Sequence, residues 1–381
     1  MDLALTLEAL RPAAREAGFL ALAAIPCTEF SSWGASVRSR TGYGEFPSLP
    51  SLTDPTTSLP GARTIVVALW DYSRAVVPPS ARSRVARLYL SESDPPDQGT
   101  HGGGRCLVEA FARLGWRWSG KVPRREAAVA AGLVVQRRNC LGYLPHGHSF
   151  LSLFAWAVDA EIQPGRLVNH DRAPAGLGEP LVGFSYPPAR VDPCGRCRLC
   201  IDACPTGALA SPFVLDPRRC IDRNTWRAGE WLPRELRSKM GTWIYGCDVC
   251  QEVCPRNRAV AEPAHAPGDQ ALLNFALEHL AMVADQEYRA VWHRYFVYNP
   301  SKNDIRRNAI VALGNLGDPA AEPILREALG DGDPMVRGHA AWALARMATR
   351  TARRTLQAAL ARETDPAVRD EIELSCQEAA V

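Results

Sequence analysis

Eight cysteines between positions 194 and 254 constrain this chain more than any other feature. Cys194, Cys197, Cys200 and Cys204-Pro205 form a C-x2-C-x2-C-x3-C-P run, the spacing with which bacterial ferredoxin-type proteins hold iron–sulfur cubanes. Three thiolates so spaced on one tight loop reach three irons of a cubane. The fourth opens a short helix, points away and serves a second cluster. Further along stand Cys247, Cys250 and Cys254-Pro255. A full second copy would have a cysteine three positions before Cys247, where Ile244 stands. Cys254-Pro255 plays the part of Cys204-Pro205 and is expected to return to the first cluster, which then has Cys194, Cys197, Cys200 and Cys254. The second has Cys204, Cys247 and Cys250 and lacks one ligand. Cys220, the only other cysteine between the runs, completes it. Two 4Fe–4S clusters thus use all eight thiols. Zinc would also accept C-x2-C pairs but does not account for the paired x3-C-P endings.

The compartment follows from the same residues. The N-terminus carries Asp2 and Glu8 and lacks a basic region, and no stretch approaches the length of an apolar membrane span. A cytoplasmic protein with no membrane partner is expected, where thiols stay reduced and disulfides do not form. Cys27, Cys106, Cys140 and Cys376 are read as small buried residues.

At 381 residues the chain should hold two or three domains. Forty-four basic against 41 acidic residues give a net charge of +3, which excludes a generally polycationic nucleic-acid binder. Residues 1–190 read as an α/β segment. Leu3, Leu7, Leu10 and Ala14 fall at helical spacing before Gly18; FLALAAI (19–25), TIVVALW (64–70) and FLSLFAWAV (150–158) read as strands, as does LVV (133–135). Helices are predicted over Arg105–Leu114 and Arg124–Ala131, with a short helical piece near 80–90 and a loop over 31–61. Residues 191–260 form the cysteine-dense module and 258–270 a linker.

Residues 270–381 contain a repeat. Ile305-Arg306, Val336-Arg337 and Val368-Arg369 recur at intervals of 31 and 32, and Ala309, Ala312 and Leu313 match Ala340, Ala343 and Leu344 in phase. Asp333-Pro334 and Asp365-Pro366 supply caps and first-turn prolines. Stacked helix pairs of this kind form a solenoid.

Weaker signals have plainer readings. His101-Gly102-Gly103-Gly104 resembles a lipase oxyanion strip, but no G-x-S-x-G follows, so it is read as a turn. His146 and His148 flank Gly147 and could contact a ligand, with a turn of solvated histidines the equal alternative. Arg137-Arg138 and Arg350, Arg353 and Arg354 could meet phosphates but are explained equally by solvated helix faces.

CGRCRLCIDACPTGAL (194–209), Cys220-Ile221, IYGCDVCQEVCPRN (244–257), RRNAIVALGNLGDP (306–319) and AAWALARM (340–347) together resemble the epoxyqueuosine reductases, almost continuously from 192 to 347. LPGARTIVVALWDY (59–72) is similar to that family's N-terminal strand region. The resemblance implies an α/β domain related to reductive dehalogenases that holds base-off cobalamin, a two-cluster ferredoxin-type module feeding it single electrons, and HEAT-like repeats that help grip a tRNA anticodon stem-loop. It also implies an electron donor of the ferredoxin or flavodoxin type. The implied reaction reduces the epoxide of epoxyqueuosine to the alkene, an acidic side chain delivering the proton.

The N-terminal half departs from that pattern. The family places an Asp three positions before the Pro of P-x-x-E-R-x-x-A-x-x-A-G-L. Aligned without gaps on Pro123-Arg124-Arg125-Glu126, that position is Gly120, and no Asp or Glu occurs from Ala110 to Arg125. Val134–Asn139 keeps only the Asn of G-W-I-G-K-N; Leu88–Asp94 replaces Y-A-W-G-R-D-Y-H; and Asp222–Arg227 keeps only Thr225 of S-Y-L-T-I-E. Tyr143, His146, Asp159 and Glu161 are the replacement proton donors available nearby, with a structural role the leading alternative for Asp159 and Glu161. The expectation is an iron–sulfur reductase with a cobalamin-type site, acting on epoxyqueuosine in tRNA or on another small molecule. The alternative is a paralogue without cobalamin that transfers electrons or binds a partner. RNA binding by the repeats alone ranks last, since residues 300–381 hold 11 basic and 12 acidic residues.

Overall fold

In the computed structural model, residues 7–39, 49–90, 102–169, 193–258, 260, 275–296 and 299–379 are described; Leu3, His101, Ser91–Asp94 and most of the 258–270 linker lie outside them. The N-terminal part is built on a five-stranded sheet of order β3 (Trp118–Ser119), β6 (Leu151–Val158), β2 (Thr64–Asp71), β1 (Ala21–Pro26), β7 (Gly165–Val168), antiparallel at every pairing. The three central strands are apolar on both faces, which is why they read as continuous runs rather than as alternations. Ile65, Val67 and Leu69 pack on one side with Ala127, Ala128 and Ala131 around the Arg124–Ala130 helix. Val66, Ala68, Phe154 and Trp156 pack on the other with Leu107 and Phe111 of the Gly102–Arg113 helix.

The elements read from apolar periodicity stand close to where they were predicted, including the stop at Gly18, whose φ of 70° ends the N-terminal helix. The 31–61 loop is corrected: it contains helices Ser31–Arg38 and Leu49–Thr53 and a 3-10 turn at Pro55–Thr57. Ser, Pro and Gly hid them because their helicity is set by tertiary packing of Phe30 and Val37, not by propensity. LVV is also adjusted: only Val135 is extended, in a small hairpin of β4 (Val135–Gln136) and β5 (Gly142–Tyr143).

The repeats are helices Lys302–Leu316, Glu322–Ala328, Pro334–Met347, Arg350–Leu360 and Pro366–Ala379. Ser301, Asp333, Thr349 and Asp365 cap four of them through their side chains. Small residues let the long helices approach: a Cβ placed on Gly314 would sit 2.9 Å from Ala343 Cα. The repeats share one core with Ile221, Leu232, Met240, Trp243, Ile244 and Tyr245 of the cysteine-rich module and with Ala81–Leu90 of the N-terminal part. The module's own core is small: Ile201 and Leu209 around Cys140, with Cys200, Cys204 and Cys250 against them.

Among the described residues, no helix is long and apolar enough to cross a membrane.

Candidate functional site

Each cysteine run sits in a loop that leads into a one-turn helix, Leu199–Asp202 or Val249–Glu252, and the Ile221–Thr225 helix follows Cys220 directly. The thiols gather as two groups. Burial, with Cys194, Cys254 and Cys197 next to it, pushes the Cys200 thiol up to about 11. Burial and the Asp222 charge push Cys220 up to about 12, with Cys204 adding to it. Burial raises Cys247, with Cys220 adding to it, and burial raises Cys250, with Cys247 and Cys220 adding to it. Cys250 also feels Cys200 across the gap between the groups. Crowded, buried thiols of this kind resist ionisation until a metal compensates the charge. No three His, Cys, Asp or Glu side chains among the described residues converge as one metal ion requires.

The first group is held from the N-terminal part. Arg137 Nη1 donates to Pro193 O (3.2 Å) and reaches Cys194 Sγ at 3.9 Å; its buried Nε has no partner. Arg138 donates to Cys197 O (3.0 Å) and Gly195 O (2.5 Å). These arginines therefore do not lie on a solvated helix face, as the sequence reading allowed; they clamp the first cysteine loop. The unsatisfied Nε and the sulfur contact fit an anionic sulfur-rich group there. Asn139 donates to Cys250 O (3.2 Å) and to the Tyr143 hydroxyl (2.8 Å), which itself lies against Cys254.

Cys204, Cys220, Cys247 and Cys250 all face one cavity of about 440 Å³, within the range of cofactor and small-molecule sites. None of the first group lines it. Its walls join apolar Leu88, Leu141 and Leu153 with the polar groups of Tyr72, Ser149 and Ser152. Two carboxyls line it too: burial raises Asp222 to about 7 and Asp248 to about 6, like charge on the other adding to the first. The Tyr89 hydroxyl donates to Asp222 at 3.5 Å, and Arg87 N donates to Asp248 at 2.6 Å.

The second group depends on close backbone fit. Ala86 N donates to Tyr245 O (2.8 Å) and Ile244 N to Arg84 O (2.7 Å), suturing the 84–90 segment to the approach to Cys247. Gly246, at φ 73°, makes that approach possible, since a Cβ would lie 2.5 Å from Ala86 Cβ. From the repeats, Asn308 Nδ2 donates to Thr225 O (2.9 Å) and Ile244 O (2.8 Å), joining the segment after Cys220 to the one before Cys247.

Gly120 lies exposed after β3 and does not line the cavity. The suggested proton donors do not gather there either. Asp159 pairs with Arg117 (2.7 Å) and Glu161 with Arg63 (3.2 Å) at the surface, where the sequence reading gave a structural role as the alternative. His146 is exposed, and Tyr143 is buried against the first cysteine group. Asp222 was legible only as a departure from the family segment after Cys220-Ile221; that it faces the cavity required the fold. Arg350, Arg353 and Arg354 are exposed on their helix, as the plainer reading held.

Comparison with known proteins agrees with this architecture. Residues 193–257 match the 4Fe-4S double cluster binding domain, and residues 298–376 match HEAT repeats. The chain is 32% identical over 259 residues to the epoxyqueuosine reductase of Bacillus subtilis, covering 67% of this chain and 61% of that enzyme. It is 29% identical over 353 residues to that of Bacillus cereus, covering 87% and 85%. A crystal structure of an epoxyqueuosine reductase with an epoxyqueuosine-modified tRNA stem loop superposes with a TM-score of 0.77 at 26% identity, covering 98% of each chain. An antiparallel sheet with flanking helices, a double-cluster module and HEAT repeats in one chain, with this similarity along its length, place it: the protein belongs to the epoxyqueuosine reductase family and is an iron–sulfur oxidoreductase of that kind.

Proposed function

We propose that this chain holds two 4Fe–4S clusters, one on Cys194, Cys197, Cys200 and Cys254 and one on Cys204, Cys220, Cys247 and Cys250, and binds a cobalamin in the cavity beside the second. The observation that carries this reading is that the four thiols of the second group, and none of the first, face the cavity. When bound, the clusters and cobalamin supply one-electron redox chemistry that the side chains cannot. The chain's own part is positional. Arg137 and Arg138 fix the first loop, Asn308 and Gly246 fix the second set, and the leucine walls exclude water from whatever the cavity holds. The three working parts are residues 1–190, 191–260 and 270–381.

The reaction we assign is two-electron reduction of a substrate presented at the cavity. The related structure carries a tRNA stem loop, and a modified tRNA is the first substrate to test here. A second reading, a different substrate or a cavity without cobalamin, is favoured by one observation: Gly120 supplies no acid and does not line the cavity. The test is anaerobic titration of cob(II)alamin into cluster-reconstituted protein, followed by cobalt EPR. A base-off signal saturating at one equivalent supports the first reading; free-corrinoid spectra with intact clusters overturn it. Turnover of epoxyqueuosine-modified tRNA by the loaded protein then decides the substrate.

A further inference from the structure

We propose that the first cysteine loop is the docking surface for an acidic ferredoxin, which delivers electrons there and not at the cavity. The inference rests on the cluster assignment above. Of the eight cysteines, Cys197 alone is exposed, on a loop where residues 195–199 all face solvent. Leu199, at its edge, is 46% exposed, one of only five large hydrophobic side chains so placed among the described residues. Around it basic side chains outnumber acidic ones, Asp202 and Glu252 being the exposed carboxylates of the same two loops. Arg196 and Arg198 flank Cys197, and Arg256 and Arg258 follow Cys254; all four are exposed. Arg198 pairs with Asp202 at 3.4 Å, but the guanidinium groups of Arg196, Arg256 and Arg258 have no ion-pair or hydrogen-bond partner among the described residues. Three unpaired guanidinium groups and a bare leucine around the one exposed thiol site suit a carrier with an acidic rim and an apolar contact point.

The internal arrangement gives this surface a direction. The first group meets solvent and the second meets the cavity, and Cys200 of the first packs against the same small core as Cys204 and Cys250 of the second. Arg138, bonded to two carbonyls of the loop, holds the exposed face in one shape. One electron leaves the reduced ferredoxin, which is oxidised, and enters the first cluster, which is reduced; no bond or proton changes hands.

The test uses the full cluster-loaded chain, with reduced plant-type 2Fe–2S ferredoxin as the probe. Stopped-flow absorbance gives the second-order rate of cluster reduction, and calorimetry with oxidised ferredoxin gives affinity. The variant is R196E/R256E/R258E; the control is R350E/R353E/R354E, the same charge change on the distant repeat helix. We expect the first triple to slow reduction at low salt by at least tenfold and to weaken binding in parallel, the difference shrinking as salt screens it, with the control unchanged. Equal rates for variant and parent, or a loss shared by the control, overturn the proposal. So does a variant that loses binding to a tRNA stem loop while keeping its ferredoxin rate, since that gives the arginines to RNA phosphates. Dithionite separates the two levels of argument. If it reduces both clusters normally in every variant, the ferredoxin result bears on docking alone; if no 4Fe–4S signal forms in the parent, the cluster assignment fails first.

Discussion

Asn308 offers the sharpest test of how the repeats serve the cysteine module. Its side chain is fully buried and spends both amide hydrogens on carbonyls of two different segments, Thr225 and Ile244. Its oxygen accepts from Arg307 Nε at 3.0 Å, and Arg307 in turn holds Arg227 O and Glu230 O. In Asn308→Ala, Thr225 O keeps Asn299 as a donor at 3.0 Å. Ile244 O and Arg307 Nε lose theirs. Each orphaned buried group costs about 1–3 kcal/mol, so the expected loss is about 2–6 kcal/mol, a large share of the roughly 5–15 kcal/mol of a typical domain. Asn308→Asp should be at least as harmful, because it sets a carboxylate against two carbonyls. The loss should also be local in its chemistry: with Thr225 and Ile244 no longer tied, the loops of Cys220 and Cys247 drift apart and the second cluster is lost before the first. Denaturant unfolding gives the energy; iron content and EPR of the reduced protein give the cluster. Parent-like stability with full iron in Asn308→Ala would refute the reasoning.

Cys220→Ser should halve the bound iron and remove the signal of one cluster, and Cys254→Ser the signal of the other, read by iron analysis and EPR; the same signal lost in both would reject the assignment. Chelation of iron under oxidising conditions should loosen residues 193–257, whose own core is only a few residues, while the repeats stay protected in hydrogen exchange. Glu371→Gln leaves the buried Arg237 and its neighbour Arg234 without their shared carboxylate, at a cost of about 3–5 kcal/mol in unfolding. His339 is fully buried, accepting from Leu232 N and bonded to Met335 O. Burial first, then Arg237, Arg307 and Arg234, hold its pKa well below the usual value. A histidine depressed in this way adds stability above about pH 6.5 that is lost as the pH falls below it. The melting point should therefore drop between about pH 6.5 and 5, and His339→Gln should flatten that slope.

Local pattern was enough for much of this molecule. Cysteine spacing is what proposes the two groups, because iron–sulfur ligation is a short-range property of tight loops, and the order of runs is what proposes Cys220 as the eighth ligand. Apolar runs found β1, β2 and β6, since a strand buried on both faces writes itself as an unbroken stretch. The 31-residue repeat found the solenoid, because each unit buries the same face. What the sequence could not carry were contacts between segments far apart along the chain. That Arg137 and Arg138 clamp a loop 57 residues away, that Asn308 ties Thr225 to Ile244, and that Asp222 faces a cavity while Gly120 faces solvent depend on how three parts pack. A side chain's type fixes what it can bond; only the tertiary structure decides which buried carbonyl, thiol or cavity lies within its reach.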